Sequence, residues 1–85
     1  MTFEMKKNIR ESEIKNIMAR AWGINPSEVP SEARFNDLPQ WDSLGHVTLL
    51  VALEVEYKIG INYQTVTRLT SIPAIMEYLR EERDA

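Results

Sequence analysis

Along residues 43–57 apolar side chains fall on two opposite sides of one helical run. At about 100° per residue, Leu49, Leu50, Leu53 and Tyr57 share one side, and Leu44, Val47, Val51 and Val55 share the other. A core can take only one of these stripes. The second must be covered by a further layer or left for something outside the chain.

Elsewhere the periodicity is one-sided. Ile14, Ile17, Met18, Ala21 and Trp22 fit the spacing of an amphipathic helix, which Gly23 ends in a left-handed stop. Ser12 is the expected N-cap, with Phe3 and Met5 leaving open an earlier start within an N-terminal extension of residues 1–11. The segment Asn25-Pro26-Ser27-Glu28 reads as one capped turn, with asparagine at the cap, proline at the first helical position and glutamate at the third. Pro30 closes it.

Residues 31–41 lack periodicity but carry Phe35, Leu38 and Trp41, which predicts a long loop packed down onto the domain. Gly60 marks the end of the central helix. Val66 and Leu69 then give one or two turns, and Ser71 with Pro73 opens a last helix through Ile72, Ile75, Met76 and Leu79. Strict alternation is confined to Ile59 to Tyr63, too short and isolated for a sheet. The predicted class is all-α: a small four-helix bundle with three main helices, a short one, and a long loop between the first and second main helices.

Length decides whether a further layer exists. With 85 residues the chain makes one domain, and a fold of this size buries only about 60% of the surface its unfolded chain exposes. It has little left to wrap a central helix on every side. The net charge of −3, with ten Lys and Arg residues scattered along the chain, argues against nucleic-acid binding. The sequence has no cysteine, which removes disulfides, thiolate metal sites and a cysteine nucleophile. The longest apolar run, Val47 to Leu53, is far shorter than the roughly 20 residues of a membrane span. Met1 to Glu11 has no apolar segment of the signal-peptide kind. The expectation is a cytoplasmic monomer that uses neither membrane nor nucleic acid and binds no metal of its own.

Ser43 sits where the central helix starts. Together with His46 it could suggest a nucleophile and a base, but no third orienting group or strained G-x-S-x-G elbow accompanies them. A plain N-cap is the simpler reading of an isolated serine at that place.

The wider pattern resembles an acyl carrier protein. Asp42-Ser43-Leu44 matches that family's attachment motif, and Leu49, Ala52, Leu53, Glu54, Glu56 and Tyr57 follow its apolar helix closing with acidic residues and an aromatic. Upstream Trp22-Gly23-Ile24, Val29 and Ala33-Arg34-Phe35 fall in place, as do Ile61, Leu69, Thr70-Ser71-Ile72 and Tyr78-Leu79 downstream. The similarity covers Ile14 to Leu79.

The resemblance implies a carrier without catalytic activity of its own. Ser43 would hold a covalent 4'-phosphopantetheine, transferred from coenzyme A by a phosphopantetheinyl transferase, and the arm's thiol would carry acyl intermediates between acyl-loading and acyl-processing enzymes. Asp42, Leu44, Val47, Val51, Glu54 and Val55 would meet those partners. A phosphodiester at a helix N-terminus also gains from unpaired N–H groups and the positive end of the dipole, about 0.3 to 1 kcal/mol when exposed. Peptidyl or aminoacyl carriers share this serine, and an unmodified helical adaptor could use the same valine stripe.

One departure stands out. Carriers of fatty-acid synthesis are acidic along this helix, whereas its first half here holds Gly45, His46 and Thr48 with no carboxylate, and Val55 replaces a common glutamate. Steering by opposite charge is weakened. The resemblance then implies a carrier in fatty-acid-like, lipid or secondary-metabolite biosynthesis, a specialised member rather than the housekeeping fatty-acid one, with apolar docking more important.

Overall fold

The computed structural model describes residues 9–84. Among them are four α-helices: α1 (Glu11–Trp22), α2 (Ser43–Tyr57), α3 (Tyr63–Arg68) and α4 (Ile72–Asp84), with a single 3₁₀ turn at Pro26–Glu28. The described residues form no strand, only an isolated bridge between Arg34 and Ser71. The all-α expectation therefore holds, with three longer helices, one short one and a long connection after α1.

Helix α1 starts one residue before the predicted cap. Arg10 is the N-cap, in extended backbone and without a side-chain cap; its carbonyl accepts the N–H groups of Glu13 and Ile14. Ser12 lies inside the first turn and is exposed, so the cap assigned to it is corrected. Glu11 and Glu13 supply instead the negative charge that a helix start favours. Phe3 and Met5, with most of the N-terminal extension, lie outside the described residues.

At the other end Gly23 adopts φ 71°, where its N–H and that of Ile24 both reach the Ala19 carbonyl. That left-handed stop turns the chain into the capping box of Asn25 and Glu28, as the sequence predicts. The loop beyond is pinned rather than free. Phe35 donates its N–H to the Thr70 carbonyl at 2.9 Å, and Asn36 donates to the Trp41 carbonyl at 2.8 Å.

Helix α2 is the centre of the packing. Leu49, Leu50 and Leu53 are buried with Ile14, Ile17 and Met18 of α1 and Ile72, Ile75 and Leu79 of α4 in one apolar cluster. The Tyr57 hydroxyl donates to Glu13 at 3.1 Å and ties α2 to α1. The helix ends earlier than Gly60. Lys58 takes the left-handed conformation (φ 58°, ψ 40°) and sends its N–H to the Glu54 carbonyl at 2.7 Å. Gly60 is thus not the cap: Ile59 must turn into the core, where it is buried, and that requires the stop to precede it.

Helix α3 begins at Tyr63, earlier than the predicted run, because Asn62 and Thr65 form a reciprocal capping box. Its buried residue is Thr65, followed by Leu69 at the C-cap, while Val66 faces outward. Helix α4 opens as predicted, with the Ser71 hydroxyl accepting the Ala74 N–H at 3.2 Å. No helix of the described residues is long and apolar enough to cross a membrane.

Candidate functional site

The start of α2 is built by three interactions that separate the roles of neighbouring residues. Asp42 is the N-cap: its carboxylate accepts the Gly45 N–H at 2.8 Å, and its carbonyl accepts the His46 N–H at 2.8 Å. Ser43 is therefore the first helical residue and not the cap, and it is exposed. The simple capping role open to Ser43 in the sequence is already filled by its neighbour. The amides of Ser43 and Leu44 belong to the first turn, which has no helical acceptors for them.

Gly45 permits this geometry. A Cβ on it would overlap the Gln40 carbonyl oxygen and lie 2.9 Å from its carbon. The chain can consequently fold back tightly just before the helix. The Gly45 carbonyl in turn accepts the Trp22 indole N–H at 2.9 Å, which anchors the turn to the end of α1.

Trp41 is wholly buried, its ring 5.4 Å from that of Trp22. It is a core residue. His46, 5% exposed, sits beside it. An indole nitrogen only donates, so the Trp41 N–H at 2.9 Å fixes His46 Nδ1 as an acceptor. The ring proton then lies on Nε2, which donates to the Val66 carbonyl at 2.9 Å. Both nitrogens are occupied, and none is left to take a proton from Ser43. The arrangement excludes a resting Ser43–His46 dyad.

The second stripe of α2 is bare, which decides between the two outcomes its periodicity left open. Leu44, Val47, Val51 and Val55 are between 45% and 76% exposed, and Glu54 lies exposed beside them. From Ser43 to Leu53 the helix carries no Asp, Glu, Lys or Arg. The long loop does not cover this face.

Between α2 and α3 lies a cleft of about 450 Å³, lined by Phe35, Ser43, His46, Val47, Val66, Thr67 and Thr70. Ser43 stands at its edge with Val47 on one wall and Val66 on the other. The Thr67 hydroxyl is turned to the carbonyls of Tyr63 and Gln64, which reduces the polarity of that wall. Ile61, before α3, and Tyr63, its first residue, are also exposed. Sequence reasoning placed Ser43 and Val47 but not the others. Phe35, Val66 and Thr70 reach the cleft from distant positions, and no local spacing announces that.

Among the described residues no group of three or more His, Cys, Asp or Glu side chains could hold a metal ion. No protein-family model matches the chain.

Proposed function

We propose that this chain is an acyl-carrier-type protein whose Ser43 hydroxyl accepts 4'-phosphopantetheine. The observation that carries this reading is the division between Asp42, which caps α2, and Ser43, which is left exposed at the head of the helix beside an apolar cleft. Asp42 supplies the cap, so the Ser43 hydroxyl is not required to start the helix.

The residues present suit such a group. A phosphodiester on Ser43 would lie at the positive end of the 15-residue α2, next to first-turn amides without helical acceptors. When bound, the arm would supply a thiol that carries acyl groups as thioesters. The chain's own part is to present the hydroxyl, to offer the dipole to the phosphate, and to expose Leu44, Val47, Val51 and Val55 to the enzymes that act on the cargo.

The partners on this reading are a phosphopantetheinyl transferase and acyl-loading and acyl-processing enzymes. Their docking surfaces would be apolar, because α2 offers no carboxylate before Glu54. The bare first half of the helix favours a dedicated biosynthetic pathway over the general fatty-acid route.

The test is direct. The protein is incubated with coenzyme A and a promiscuous transferase and then weighed. The expected result is the gain of one phosphopantetheine, absent in Ser43→Ala. No gain with several transferases would overturn the proposal and leave an unmodified adaptor that binds through the valine face.

A further inference from the structure

Helix α3 is short, and at its end Arg68 ties it to α4 through Glu81 at 3.0 Å and the Tyr78 ring. It spans six residues, Tyr63–Arg68, with Thr65 as its buried residue, and helices this short are not stable on their own. Its start is fixed by Asn62 and its end by Leu69, which is buried and donates to the Thr65 carbonyl at 3.0 Å. Its last turn leaves carbonyls without helical donors, Val66's among them. In a continuing helix the Thr70 N–H would go to Val66; here it goes to Arg68 at 2.9 Å. The orphan Val66 carbonyl takes its proton from His46 Nε2 instead.

His46 is thereby a cap for α3 supplied by another helix. Its other nitrogen is held by Trp41, two residues before Ser43, and its ring meets Phe35 edge-on at 5.3 Å between centroids. One side chain joins the turn before α2, α2 itself, and the outer wall of the cleft. Val66 and Thr67 on that wall face Ser43 and Val47 across it. If the histidine link were lost, α3 would keep few other anchors to α2, and the cleft would lose its fixed width.

We propose that His46 is a positioning residue that clasps α3 against the head of α2, so that the cleft beside Ser43 keeps one shape for the enzyme that modifies the serine. The clasp itself stands on the hydrogen bonds alone, while its consequence for Ser43 rests on the carrier reading.

Two variants separate the parts. His46→Phe keeps a ring but makes neither hydrogen bond; His46→Gln keeps one acceptor and one donor. In amide exchange on the full chain, His46→Phe is expected to speed exchange at Val66 to Leu69 by about tenfold while α1 and α4 stay protected. His46→Gln is expected to restore much of that protection. Equal α3 exchange in wild type and a folded His46→Phe would overturn the clasp.

Should His46→Phe fail to fold, nitrogen NMR of the wild-type ring decides the matter. A proton on Nε2 with through-bond coupling to the Val66 carbonyl supports the clasp, and a proton on Nδ1 defeats it. Transferase kinetics then read the consequence. KM for the folded His46→Phe protein is expected to rise about fivefold with kcat within about twofold of wild type, and an unchanged KM would overturn the positioning role. Absence of any modification of the wild-type chain would remove the carrier reading and leave the exchange result standing.

Discussion

The Gln40 carbonyl oxygen occupies the space that a side chain on Gly45 would need. Helix propensity alone favours alanine over glycine at such a position by about 1 kcal/mol. The collision is with backbone rather than with a flexible side chain, and overpacking of this kind costs about 1 to 3 kcal/mol. With the clash at the upper end of that range and the propensity gain set against it, Gly45→Ala is expected to lower stability by about 2 kcal/mol in urea unfolding. It should also weaken the Trp22 bond to the Gly45 carbonyl, visible as a changed indole N–H shift.

Much of the fold could be read from local pattern because much of it is locally determined. The two stripes of α2, the Gly23 stop, the Asn25 capping box and the Ser71 start each depend on residues within a turn of one another. The misplaced features depend on distant demands. Lys58 accepts a left-handed conformation because Ile59 has to enter the core, which spacing around Gly60 does not show. His46 lies on the core side of its helix, yet nothing near it in sequence indicates Val66, 20 residues on. The site divides the same way: Ser43 and the valines were legible, while the opposite wall of the cleft required the tertiary fold.

Asp42 has two separable duties on the carrier reading. As the N-cap of α2 its loss costs about 0.5 to 2 kcal/mol, so Asp42→Ala should lower the melting temperature. Asn caps as well as Asp, and Asp42→Asn should melt within a few degrees of wild type. If the carboxylate also serves transferase recognition, Asp42→Asn will still slow arm transfer to Ser43 severalfold.

Val51 lies on the bare face of α2, partly exposed and apart from the Leu49, Leu50 and Leu53 stripe. Val51→Asp is expected to leave the circular dichroism spectrum and cooperative unfolding in place, with a stability change of about 1 kcal/mol or less. On the carrier reading, transfer of cargo to a cognate partner enzyme should fall by about tenfold or more, as removal of an apolar anchor from an interface does. Unfolding of the variant would show instead that this face supports the bundle.

Two surface carboxylates contribute to the acid response. The Ser31 hydroxyl, followed by Lys15, holds Glu11 below its ordinary value, and the Arg68 guanidinium 3.0 Å away does the same for Glu81. A carboxyl lowered by folding adds stability above its unfolded value and loses it as the pH falls through the lowered one. Both groups are exposed, so solvent screens the effect. Melting temperature should fall slightly on acidification through the carboxylate range, and Glu81→Gln should flatten part of that slope while lowering stability a little at neutral pH. Added salt should shrink the difference.

On the carrier reading, the uncharged front of α2 would also act by refusal. An enzyme whose docking patch is built from arginine and lysine would have to strip water from those cations against Val47 and Val51 and find no carboxylate to replace it. Unpaired charges at a contact count against a complex as surely as good contacts count for it. On the carrier reading this gives insulation: where several carriers share one compartment, cargo on Ser43 would be kept out of the basic enzymes that serve the acidic ones, with no dedicated barrier beyond what α2 leaves out.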